Sequence, residues 1–187
     1  MRDLVLSLFL TAGCSKEPED TGTITDTDTD TDTDTEVDLS SCESQTETSI
    51  VLGRGVAGAF EPLEPGAQVG LAVAPQGGFG VTVLINTVGI KTSPDAYTDL
   101  VNMQLDTLIE GTLVGTFLQE GAVLLCQSDG SGGVIYGVVV GFDPNVYKTN
   151  DDLLALDGQA VDLSVTITDV NGASASVIQP VTIVVGY

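Results

Sequence analysis

The chain predicts an all-β domain, a sandwich or barrel, carried behind a stretch that cannot fold. Two observations point to the domain. From residue 42 onward the apolar segments are short and rich in Val, Ile and Thr, and turn residues separate them at regular intervals. A third observation points to the stretch: a Thr–Asp alternation with almost no apolar content precedes the first of these segments.

In chain order the segments are Ser49–Gly53, Ala67–Val73, Val81–Val88, Leu100–Ile109, Thr112–Leu118, Ala122–Cys126, Val134–Phe142, Ala160–Thr168 and Ala173–Val185. Glu64-Pro65-Gly66 opens the second, and Pro75-Gln76-Gly77-Gly78 divides it from the third. Ser93-Pro94-Asp95, Ser128-Asp129-Gly130, Asp143-Pro144-Asn145 and Asp157-Gly158 punctuate the rest. Leu100–Ile109 reads equally as a strand or a short helix. Val161 to Thr168 alternates strictly, which puts its odd residues in the core. The turn Val170-Asn171-Gly172 then returns the chain as a hairpin. The 146 residues from Cys42 to Tyr187 are enough for one domain, burying about 68% of the unfolded surface.

From Thr21 to Thr35 every odd position is Thr, and Asp fills the even positions from Asp26 to Asp34. Neither face of such a strand is apolar, so nothing sets a register and nothing offsets the ordering entropy. Ser15–Ser41 is therefore expected to be disordered. Like charges extend such a linker, and at about 3.3 Å per residue its reach is at most roughly 90 Å. A calcium loop with alternating carboxylates needs a sharp Gly turn and a distal bidentate Glu, and the run has neither. Its eight threonines permit O-linked sugars without requiring them.

Asp and Glu number 27 against five Lys and Arg. Residues 1–41 hold 11 acids and two bases; residues 42–187 hold 16 and three. The domain alone thus has a net charge of −13, which excludes the basic patch that nucleic acid requires and disfavours anionic lipid.

Ahead of the linker, Leu4-Val5-Leu6-Ser7-Leu8-Phe9-Leu10 is too short to cross a bilayer, which takes about 20 apolar residues, but is long enough for a secretory signal. Leu10-Thr11-Ala12-Gly13-Cys14 resembles the lipobox of bacterial lipoproteins. The resemblance implies a signal peptide over 1–13, cleavage before Cys14, a diacylglycerol on the Cys14 thiol, and a lipidated linker over 14–41 ahead of the 42–187 domain. Two or more acyl chains hold stably, since each buried CH₂ contributes about 0.8 kcal/mol. Ser15 in that family does not retain the protein at the inner membrane, so the outer membrane or cell surface is the expected location.

With Cys14 lipidated, Cys42 and Cys126 remain in an exported chain, where disulfides persist. Their pairing closes a loop of about 84 residues, contributing roughly 4–5 kcal/mol in the chain-entropy account.

Two further resemblances bear on the domain. The closing hairpin, Ala160 to Val185, resembles the last strands of immunoglobulin-like modules of bacterial surface proteins, which implies an immunoglobulin-like β-sandwich. Phe60-Glu61-Pro62-Leu63 with Ala74-Pro75-Gln76-Gly77-Gly78-Phe79 is similar to uncharacterised surface lipoproteins with a Pro-Gln-Gly-Gly turn, and implies no activity.

Little in the domain suggests chemistry. The chain has no histidine to activate a thiol or hydroxyl. Pro75-Gln76-Gly77-Gly78 reads as a tight turn needing positive φ, with a binding loop as the alternative. Ser128 to Gly133 lacks the Lys of a phosphate-binding loop. Asp143, Asp151, Asp152, Asp157 and Asp169 lie in loops and are weak candidates for a calcium site; solvated turns use the same residues. The expected function is a cell-envelope lipoprotein displaying a non-catalytic structural or binding module, with no cofactor, held to the membrane by lipid and meeting a surface protein or glycan. A calcium-stabilised adhesion or carbohydrate-binding module is the first alternative, and a hydrolase using a carboxylate pair the second.

The anchor is testable directly. Cells fed a fatty-acid analogue should label the wild-type chain and leave Cys14→Ser unlabelled; label retained on the variant would remove Cys14 as the attachment point.

Overall fold

The computed structural model describes residues 42, 47–56, 59–74, 77–92, 99–127 and 130–186. The expected signal peptide, lipidated Cys14 and most of the linker lie outside these residues. The described part belongs to one compact unit running from Glu36 to Tyr187, and it is all-β apart from one short helix.

Ten strands build it. They are β1 (Ser49–Val56), β2 (Ala59–Pro62), β3 (Ala67–Val73), β4 (Phe79–Val88), β5 (Leu100–Ile109), β6 (Thr112–Val123), β7 (Leu125–Cys126), β8 (Gly133–Gly141), β9 (Ala160–Thr168) and β10 (Ser174–Val184). The helix α1 spans Asn150–Leu154, between β8 and β9. Leu100–Ile109, ambiguous in sequence, is a strand whose Val101, Met103 and Leu105 are buried on one face.

One hydrogen-bonded path runs β2-β1-β4-β3-β10-β9-β5-β6, with β8 on β4 and β7 on β8. β3 divides the path into two sections. Its first half, Ala67–Gly70, runs parallel to Val181–Val184 of β10. Its second half, Leu71–Val73, is antiparallel to β4. The first section is β2, β1, β4, β8 and β7; the second is β10, β9, β5 and β6. All other pairings are antiparallel.

The core is shared by both sections. β9 buries Val161, Leu163, Val165 and Ile167 to 1% exposure or less, the odd residues of its alternation. From the other section Val81, Val83 and Ile85 of β4 and Val140 of β8 enter the same apolar cluster. Leu, Ile, Val and Met supply most of the bulk; the chain has no Trp, and Phe142 is the one aromatic side chain among the buried residues described. Truncating a side chain such as Leu163 to Ala costs about 2–5 kcal/mol, because close-packed neighbours do not collapse into the space.

Two contacts join the second section to the first along β6 and β8. At one end, Asp143 N donates to Val114 O at 2.8 Å. A Cβ on Gly115 would overlap the Gly141 carbonyl oxygen, so only glycine lets these backbones meet. That carbonyl also accepts from the buried Thr107 hydroxyl at 2.8 Å. At the other end the chain leaves β6 through Leu124 and pairs as β7 with the start of β8, Leu125 opposite Val134 and Cys126 opposite Gly133. Cys42 and Cys126 sit there at disulfide-bonding distance, with Cα atoms 5.8 Å apart. Cys42 O accepts from Thr92 N at 3.1 Å, and the Thr92 hydroxyl donates to Leu124 O. The cross-link therefore ties the start of the domain to buried backbone.

Reducing this bond, or Cys42→Ser with Cys126→Ser, should lower the melting temperature by about 5–15 °C, the shift for a loss of a few kcal/mol in a domain of this size. An unchanged melting temperature together with two free thiols in the native chain would show that the pair does not stabilise the fold.

Candidate binding groove

β6 and β8 touch at both ends but do not pair along their middles. Beside the Val114–Asp143 contact this leaves a half-open groove of about 630 Å³. Leu113 to Phe117 of β6 form one wall. Val139 and Gly141 of β8, with the Phe142–Tyr147 turn after it, form the other, and Ala74 and Gly77 close one side.

The turn that follows β8 shapes the groove. Asp143 Oδ1 accepts from Asn145 N at 2.8 Å, and its carbonyl accepts from Val146 N and Tyr147 N at 3.0 and 2.9 Å. Asp143 thereby folds the chain back and brings the Tyr147 ring edge-on to Phe142, centroids 5.1 Å apart. The glycines of Pro-Gln-Gly-Gly lie against the same turn. Gly77 and Gly78 have φ of +91° and +82°, the positive values expected of that motif; Pro75 and Gln76 lie outside the described residues. A Cβ on Gly78 would come within 3.1 Å of the Pro144 Cβ, so the glycine lets the two turns approach.

The apolar residues of the groove are not all covered. Leu113 is 55% exposed and Val146 60%. Acids stand around it. Asp143 is in the lining. Asp106 accepts from the hydroxyl of the lining residue Thr116 at 2.6 Å. Asp152 lies close enough to raise the pKa of Tyr147, after the larger contribution of that phenol's own burial. The groove thus has an aromatic and aliphatic lining that includes the Asp143 carboxylate, with Asp106 and Asp152 behind it.

The loop acids named as weak calcium candidates are not gathered into a site. Among the described residues no three acidic or cysteine side chains converge as metal ligands. Asp169 is 7% exposed, and its two oxygens accept from Asn171 N, Ala173 N and Lys91 N. Asp157 accepts from Val185 N. Asp152 caps α1: it accepts from the backbone N–H of Thr149 and Lys148 and from the Thr149 hydroxyl, while its own N–H donates back to Thr149 Oγ1. This reciprocal cap is the signal by which Thr149-x-x-Asp152 announces a helix start, and the sequence reading passed over it. Asp151 sits exposed in the same first turn.

The hydrogen bonds from Thr149 hold the Asp152 carboxyl below the ordinary range, the backbone bond contributing most, then the hydroxyl, then Lys148 N. A carboxyl whose folded pKa is depressed stabilises the fold above its unfolded value, about 3.9, and that contribution is lost as pH falls through the folded value. The amide resonances of Lys148, Thr149 and Asp152 should titrate together with a midpoint below 3.9, and Asp152→Asn should abolish the transition. A midpoint at or above the free-carboxylate value would contradict the cap.

Comparison with known proteins leaves the groove to be read on its own geometry: no protein family, no curated protein and no solved structure matches this chain significantly.

Proposed function

We propose that this protein is a cell-envelope lipoprotein, anchored through Cys14, that holds out an immunoglobulin-like β-sandwich on an acidic tether as a non-catalytic binding module. The observation that carries the reading is the order of segments in the sequence. Leu10-Thr11-Ala12-Gly13-Cys14 ends an apolar run, an unfoldable Thr–Asp spacer follows, and a β unit opens at Cys42. Two strand sections around one core, with a closing β9–β10 hairpin, support the sandwich reading. The absence of histidine supports a non-catalytic role. The groove supports binding, because its exposed apolar lining has a cost in water that a partner removes.

Fractionation tests it. The chain should sediment with outer membrane, and a protease cutting before Asp should release a soluble, folded fragment beginning in the Thr–Asp run or at Asp38. Recovery with the inner membrane, or in the soluble fraction before proteolysis, would overturn the display reading.

A further inference from the structure

The two ends of the strand path differ. β2, at one end, has four residues; it includes Pro62, and its Glu61 pairs with Arg54 at 2.9 Å. Short length, proline and charge are the usual means of blunting a sheet edge. β6, at the other end, has 12 residues and one charged side chain, Glu120. Among the described residues it pairs with β5 alone, apart from the bond between Asp143 N and Val114 O. Register shifts opposite Val101/Met103 and Thr107/Leu108 bound a regular stretch from Gly115 to Gln119. Five residues at about 3.4 Å each make roughly 17 Å of pairing edge. The groove runs beside this stretch, with Gly115, Thr116 and Phe117 in its wall.

We infer that β6 and the groove together bind an extended peptide segment of another polypeptide, one that alternates apolar residues with Lys or Arg. The peptide main chain adds to the Gly115–Gln119 edge as a further strand, and alternate apolar side chains enter the groove over Phe117, Phe142 and Tyr147. Charge selects the occupant. Asp143 lines the site, Asp106 lies one strand behind it on the hydroxyl of the lining residue Thr116, and the domain has a net charge of −13. Of its three basic residues, Arg54 and Lys91 are held by Glu61 and Asp99, and Lys148, next to the lining residue Tyr147, is offset by the nearby Asp152. A second copy of this chain would bring the same acidic field to the interface, whereas a cationic strand is drawn in. Alternation is required because a strand presents every second side chain to one face. The inference deepens the display reading and rests on it only for the partner being another exported polypeptide; binding by the purified chain tests the groove separately from the anchor.

The test uses the full chain, purified in detergent, with the peptides (Lys-Val)4, (Glu-Val)4 and octalysine as probes. (Lys-Val)4 should protect the amides of residues 115–119 from hydrogen exchange, bind less tightly as salt rises, and be matched by neither other peptide. Leu113→Lys with Val146→Lys changes two exposed lining residues and should weaken binding about tenfold or more. Val170→Lys with Ile178→Lys adds the same charge at exposed residues outside the lining and should leave binding unchanged. Equal protection of residues 115–119 by octalysine, protection confined to other segments, or equal weakening by both double variants would overturn the proposal. A dimer in sedimentation that Leu118→Lys dissociates would overturn it in favour of a second copy.

Discussion

Gly115 lets its strand meet the Gly141 backbone where no side chain fits, and the arrangement of the open side of the molecule follows from that contact. The second section is joined to the first by β3, which serves both. At β6 and β8 no ladder of hydrogen bonds does the same. The join there is the Val114–Asp143 bond, the shared Gly141 carbonyl and the short β7 ladder. A join pinned at both ends and unpaired between them leaves strand edges that a closed barrel would have consumed. The groove is therefore a consequence of how the sections close. Thr107 shows how closely the closure is tied to the core: it is fully buried, and its hydroxyl is satisfied by the carbonyl that glycine at position 115 keeps accessible.

The disulfide completes the mechanical side of this closure. Cys42 opens the domain, and its partner lies in β7, where β6 crosses to the first section. Tension arriving along the chain from residue 41 meets a covalent bond into buried backbone before it reaches β1. Under the proposed display reading, load carried by the acidic spacer enters the domain at this point. Peeling an outer strand takes hydrogen bonds one at a time, whereas loading the cross-link engages Cys42, Thr92 and Leu124 together.

What the sequence made legible follows from which physical signals are local. β9 was readable because one face is fully buried and the other is not, so a period of two is written into Val161–Thr168. The cysteine pair was readable by counting. β2 escaped notice because a four-residue edge strand ending in Pro62 has no periodic face to display. β6 read as two segments because Gln119-Glu120-Gly121 looks like a turn; the chain instead absorbs these residues in a register shift, with Gly121 N donating to the Asn102 side chain at 3.3 Å. The helix α1 was legible in Thr149-x-x-Asp152, but five residues are too few for an apolar stripe.

The groove lies at the far limit of legibility for the same reason. Its walls come from segments more than twenty residues apart, and Leu113 and Val146 look in sequence like unremarkable surface apolar residues. Pro-Gln-Gly-Gly was conspicuous, and its described glycines are part of a wall: Gly77 lines the groove and Gly78 lies against Pro144. The loop acids were equally conspicuous as metal ligands, and most of them accept backbone N–H groups instead. An Asp in a loop has two oxygens and many nearby donors, so a turn claims it before a cation does unless several acids are forced together. Sequence shows the residue type, and only the fold shows whether its oxygens are already taken.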